Sequence, residues 1–151
     1  MIRPANDEDL PALTALGRRM HDESPRWSRL SFDAARAHAT LAMLLDNEDG
    51  LLLVAEHEGA IAGGIAAMCA PHWSSRDRVA FDLGLFLAPE ARGGMDAVRL
   101  VRAYREWARG RGAVHITLGI STGVHAEQTG HLYERMGFTC CGQNYEVANV
   151  R

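Results

Sequence analysis

Residues 86–97 read FLAPEARGGMDA, and their reading decides the fold. The stretch before them, 79–88, is apolar apart from Asp82 and Gly84 and has the look of a strand, which Pro89 ends. Beyond the turn, Ala97, Leu100, Val101, Tyr104, Trp107 and Ala108 recur at a period close to 3.6, so a helix is expected over 95–109, stopped by Gly110 and Gly112. Arg92, Gly93 and Gly94 therefore lie where a strand turns into a helix. Glycine lets a ligand come close to the backbone. The free N–H groups and dipole of a helix start favour an anion. A pyrophosphate suits such a place, with Arg92 adding a charge-assisted contact. An ordinary tight turn with an arginine at its edge fits the local spacing equally well.

Outward toward the N-terminus, the pattern is a short strand at 2–4, then Asn6 as a helix cap with Asp7, Glu8 and Asp9 in the first turn. Leu10, Leu13, Leu16 and Met20 face a core from that helix. A second helix is expected over 33–45, strands over 51–56 and 60–69, and a hairpin turn at Glu58 and Gly59. Outward toward the C-terminus, 114–120 reads as a buried strand, 126–136 as a short helix capped by Gly137, and 143–147 as a final strand. With no linker, repeat or low-complexity tract, 151 residues are expected to form one domain.

Composition removes several chemistries. The chain has 16 basic residues, and none is a lysine. A P-loop, a Schiff-base enzyme, a protein kinase and a Ser–Lys hydrolase each need a lysine that this chain lacks. Arginine stays charged and cannot replace it as a nucleophile. The net charge of −3 gives no reason to expect nucleic-acid binding. No apolar stretch approaches a membrane span, and the acidic start is unlike a signal peptide. Three cysteines, two of them adjacent, make a poor disulfide framework and point to a reducing, cytoplasmic setting. The histidines form no ligand motif, so no metal is expected.

A second site candidate is HLYERMGF, residues 131–138. Tyr133 on this short helix is either a proton donor or a packed aromatic. Taken together, IRPANDEDLPAL at the start, FLAPEARGGMDA in the middle and HLYERMGF near the end resemble the GCN5-related N-acetyltransferases over nearly the whole chain. That resemblance implies an α/β (α+β) fold with a mostly antiparallel sheet of six to seven strands, splayed at the cofactor site and flanked by about four helices. It implies acetyl-CoA as donor. Arg92, Gly93, Gly94, Met95, Asp96 and Ala97 match the pyrophosphate motif, with Met95 where the family usually has glycine. Backbone groups of Phe86 and Leu87 match the strand that pairs with pantetheine. Tyr133 matches the general acid, and Ala126 stands where asparagine is common.

The implied reaction is direct attack of an amine, on a small molecule or a protein, upon the thioester. No enzyme nucleophile is needed, so the missing lysine is no obstacle. The attacking amine must be neutral, which calls for a base. Asp82 is the candidate, although a solvated or ion-paired role fits its position equally. Simple strand alternation would put Asp82 with Gly84 and Phe86 and opposite Leu83 and Leu85, and a bulge would break that parity, so both directions stay open. A homodimer is a further expectation from the resemblance. The competing reading is a non-catalytic acyl-CoA-binding or protein-interaction module on the same fold.

Overall fold

The computed structural model describes residues 1–149. Among them are five strands, β1 (Ile2–Pro4), β2 (Gly50–His57), β3 (Ala60–Pro71), β4 (Arg78–Leu87) and β5 (Ala113–Ile116). Four α-helices accompany them: α1 (Leu10–Glu23), α2 (Ala34–Leu45), α3 (Asp96–Gly110) and α4 (Ala126–Arg135). The strands form one sheet in the order β1-β2-β3-β4-β5. All neighbours are antiparallel except β4 and β5, which run parallel and are joined by α3. A parallel neighbour needs a crossover connection of this kind.

The run Leu51, Leu52, Leu53, Val54, Ala55 is apolar without alternation because β2 is covered on both faces. Leu51, Leu53 and Ala55 pack with Ile65, Ala67, Cys69 and Ala80 against Leu100, Tyr104 and Ala108 of α3. Leu52 and Val54 pack with Ala66 and Phe86 against Leu10, Leu13 and Leu16 of α1 and Leu44 of α2. Glu58 and Gly59 turn β2 into β3 with positive φ at both, the geometry of a tight two-residue hairpin. Gly64 has no room for a side chain: a Cβ there would lie 2.9 Å from Leu13 Cδ2 and 2.8 Å from Leu53 O. α1 therefore rests directly on the β3 backbone.

The first helix starts as the sequence suggests. Asn6 Oδ1 accepts from Glu8 N–H, and Asp9 Oδ2 accepts from Asn6 N–H, each at 2.9 Å. Arg3 then forks onto Asp9 at 2.7 and 2.9 Å and donates through Nε to Glu56 at 2.6 Å. One guanidinium thus ties β1 to the start of α1 and to the far end of β2.

Three expectations need correction. The sheet holds five strands rather than six to seven. Residues 143–147 form no strand: every side chain there is exposed, and Tyr145 Oη donates locally to Gln143 Oε1 at 2.7 Å instead of facing a core. The strand expected over 114–120 ends at Ile116, because β4 and β5 part beyond it. No helix among the described residues is long and apolar enough to cross a membrane, and Cys69, Cys140 and Cys141 are free thiols.

Asp9 is buried, and the Arg3 guanidinium holds its carboxyl below the usual carboxylate range. A depressed pKa means that its stabilisation is present above that range and is lost as pH falls through the native value. Asp9→Asn should lower Tm by several degrees at pH 7. Calorimetric scans of both proteins should converge only as pH falls through the depressed native value of Asp9, where the wild-type carboxyl also becomes neutral.

Candidate active site

The parting of β4 and β5 begins at a bulge. Ala67 pairs with Asp82 and Ala66 pairs with Gly84, so Leu83 is an extra residue in β4. A β-bulge shifts the alternation that follows it. Asp82 lies opposite Ala67 and so shares the α3 face of the sheet with Leu85 and Leu87, while Gly84 and Phe86 take the α1 face. This reverses the grouping that simple alternation gives.

Across the gap, Thr117 N–H donates to Ala80 O at 2.9 Å, the last rung between the two backbones. Two residues on, Gly119 N–H at 2.8 Å finds the Asp82 Oδ1 carboxylate oxygen in place of a strand carbonyl. Tyr104, fully buried on α3, donates to Thr117 O at 2.9 Å and fixes the same segment from below. The space that opens is a groove of about 1090 Å³ between β4, α3 and α4. Asp82, Phe86, Leu87, Arg92, Gly93, Gly94, Met95, Ala97 and Tyr133 all line it.

Ala88 N–H donates to Ala62 O of β3 at 2.8 Å. Antiparallel alternation turns the polar groups of Phe86 the same way and those of Leu85 and Leu87 outward into the groove. Arg92 Nε meets Leu87 O from that side at 3.3 Å. Leu87 therefore offers the groove its backbone, whereas Phe86 lines it with its backbone turned to β3. Gly93 follows Arg92 with φ +83, a left-handed turn that leads into α3, whose N-cap is Met95. The free N–H groups of the first turn of α3 open beside Gly94 and Ala97.

Asp96 is the one sequence candidate that does not line the groove. Its buried carboxylate lies 2.6 Å from His57 Nε2 at the end of β2 and 3.7 Å from Arg99. It anchors the helix start to the sheet.

Tyr133 is 7% exposed, and its hydroxyl meets no hydrogen-bond partner among the described residues. Burial, and secondarily the nearby Asp82 charge, push its hydroxyl well above the usual phenol range. It stays protonated at all working pH values. Burial also raises the Asp82 carboxyl, against the Gly119 hydrogen bond that favours its charge. Raised and partly shielded, this carboxylate is a better proton acceptor than one in water.

The site contains residues that pattern reading missed. Glu23 of α1 holds the Arg92 guanidinium, 69 positions away. His125 lines the groove at the N-cap of α4 with φ 47, a conformation that non-glycine residues rarely adopt. Ser24, fully buried at the end of α1, donates to Thr122 O at 2.5 Å and fixes the loop between β5 and α4. None of these has a local spacing signal, because each acts across distant segments. Among the described residues, no group of three or more His, Cys, Asp or Glu side chains could hold a metal ion.

A family model described as the acetyltransferase (GNAT) family matches residues 15–138. The chain belongs to this family. An uncharacterized N-acetyltransferase of Bacillus subtilis (strain 168), YhfO, is 28% identical over 137 residues, which cover 91% of this chain and 88% of that one. The structure of a ribosomal-protein-alanine N-acetyltransferase from Brucella melitensis is 28% identical, with a TM-score of 0.77 over 94% of this chain and 86% of that one. An aminoglycoside N-acetyltransferase AAC(6')-Iy in complex with CoA superposes with a TM-score of 0.78 over 99% and 93% of the two chains, at 17% identity. The last likeness is one of fold. The GNAT fold accounts for the five-stranded sheet, the parallel β4–β5 pair and the groove between them.

Two substitutions separate the structural and chemical parts of Asp82. Its raised pKa means that the folded state prefers the neutral carboxyl, so its contribution to stability is lost as pH rises through the native value. Asp82→Asn keeps an oxygen for Gly119 N–H and removes the buried charge, so its Tm at pH 8 should equal or exceed that of wild type. Asp82→Ala leaves Gly119 without its acceptor and should cost about 1–2 kcal/mol in urea unfolding.

Proposed function

We propose that this chain transfers an acetyl group from acetyl-CoA directly to a primary amine, with no covalent enzyme intermediate. The observation that carries the reading is the groove itself. It has a glycine-bearing helix start at one end, outward backbone at Leu85 and Leu87 along one wall, and the Tyr133 hydroxyl and Asp82 carboxylate inside. Family membership supports the same class of reaction, and the fold is shared with an acetyltransferase in complex with CoA.

The residues present suit this donor. The positive φ at Gly93 and the open N–H groups at the start of α3 suit a pyrophosphate. The outward polar groups of Leu85 and Leu87 suit an extended amide chain laid along β4 as a further strand would be. When bound, the thioester supplies an acyl carbon activated toward an amine.

The chain's own groups supply the rest. Asp82 Oδ2, the oxygen not engaged by Gly119, takes the proton from the acceptor's ammonium and leaves a neutral amine. An outward β4 N–H stabilises the negative charge that develops on the carbonyl oxygen. Tyr133 donates its phenolic proton to the departing thiolate sulfur. Burial keeps the tyrosine protonated and makes the aspartate more basic, and the phenolate left by Tyr133 takes back a proton from the nitrogen of the acetylated amine.

The acceptor class follows less from the chain than from its kin. The relatives are named for aminoglycosides and for a ribosomal-protein alanine, so small-molecule amines and protein N-termini are the two acceptor classes to distinguish. Calorimetry should detect CoA binding, and thiol release should follow on adding an acceptor from an amine panel. Tyr133→Phe should lower kcat by about 10²-fold or more, with CoA affinity unchanged. Wild-type turnover in that variant would remove the general-acid role. Binding without turnover on every amine would make the chain an acyl-CoA-binding module.

A further inference from the structure

A guanidinium has five N–H donors in a planar fork. In Arg92, Nη1 and Nη2 each donate to one oxygen of the Glu23 carboxylate at 2.6 Å, and Nε donates to Leu87 O at 3.3 Å. Three of the five donors are spent inside the chain, two of them in bidentate geometry, which gives the strongest hydrogen bonds of this class. The Arg92 and Glu23 side chains are 26% and 33% exposed, so water competes for this pair only in part. The guanidinium holds the Glu23 carboxyl below the usual carboxylate range.

A second fork crosses the same joint. Arg19 donates to Glu90 at 2.8 and 3.1 Å. Arg19 and Glu23 lie one turn apart on α1, while Glu90 and Arg92 lie on the turn that opens α3. Residues 89–92 close one turn of their own, with Ala91 N–H donating to Ala88 O at 2.8 Å and Arg92 N–H to Pro89 O at 3.3 Å, and Ala91 packs on the α1 side of the core; the two glycines beyond it are open. A Cβ placed on Gly93 would meet nothing within 4 Å, and one on Gly94 would meet only Ala91 O at 3.9 Å. Packing leaves these two glycines without side-chain contacts, and the ion pairs with α1 add to the turn before them in setting their direction.

We propose that Glu23 is a positioning residue of the donor site: through Arg92 it fixes residues 89–95 so that the N–H groups at the start of α3 face the groove. This rests on the acetyl-CoA reading above. The competing arrangement has Arg92 leave Glu23 to meet the pyrophosphate. That exchange breaks two charge-assisted bonds of 2.6 Å to make at most two of the same kind, so it gains little. The backbone N–H groups hold the anion, and Arg92 holds the backbone.

Purified wild type, Glu23→Gln, Arg92→Gln and the double variant, each titrated with CoA and assayed with acetyl-CoA, test this. Each single change should weaken CoA binding roughly tenfold and raise KM for acetyl-CoA, with kcat retained; the double variant should be no worse than either single one. Glu23→Asp, which keeps the charge, should recover part of the affinity and guards against poor folding of the glutamine variant. Unchanged or tighter CoA binding by Glu23→Gln would overturn the inference, since it would show Glu23 as idle or as a competitor for Arg92. Additive losses in the double variant would also overturn it. Wild type that fails to bind CoA would overturn the donor reading and this inference together. Wild-type binding with an unaffected Glu23→Gln would overturn the inference alone.

Discussion

The site depends on one hydrogen bond, from Gly119 N–H to the Asp82 carboxylate at 2.8 Å. Two parallel strands that separate leave backbone donors and acceptors without strand partners. After the last rung at Thr117, the chain meets that demand with a side chain. Asp82, paired with Ala67 and in step with Ala80, faces α3 and the gap, and the bulge at Leu83 then carries Gly84 and Phe86 to the α1 face. Without the Asp82 carboxylate, Gly119 N–H would lack its acceptor within the chain.

The arrangement places a carboxylate where burial opposes its charge. Asp82 is raised by burial, and its charge adds to the rise at both Tyr104 and Tyr133. Burial thus favours the neutral form of all three groups, and the Asp82 charge adds to that effect at the two tyrosines. Tyr104 resolves its part by donating to Thr117 O. Tyr133 has no such partner among the described residues, and its hydroxyl faces the groove. Two tyrosines in similar surroundings therefore have different tasks: one closes the structure and the other is left open for chemistry.

Much of this was legible in the sequence because it is local. The stretch from Phe86 to Ala97 marks a strand, a glycine turn and a helix start through neighbouring residues. Asn6 and Asp9 form their capping box across three positions. Tyr133 is identified by its place in HLYERMGF. The parity of Asp82 was not legible, because a bulge changes which face a side chain takes and leaves no reliable mark in composition. Asp96 looked like part of the anion site, yet its carboxylate is drawn to His57, 39 positions earlier. Glu23 carries no local signal, because only the fold brings Arg92 beside it. Residues 143–147 have the composition of a strand, but a strand needs a neighbour to pair with.

The lysine-free composition also gains a structural meaning. Arg3 reaches Asp9 and Glu56 at once, Arg78 reaches Asp49 and the carbonyl of Cys69, and Arg92 reaches Glu23 and the carbonyl of Leu87. In each case a single guanidinium joins two segments distant in sequence, using donors that point in fixed, divergent directions. A lysine ammonium is a point charge on a flexible stem and does not fix two partners in one plane. Arg105 shows the same economy, donating to Met136 O at 2.6 Å while lying 5.5 Å from the centre of the Phe138 ring. At Arg92 the planar fork matters most, because the segment that it orients carries the open glycines that lead into α3. Replacing that arginine with lysine would keep the charge and lose the direction, and direction is what a glycine turn cannot supply for itself.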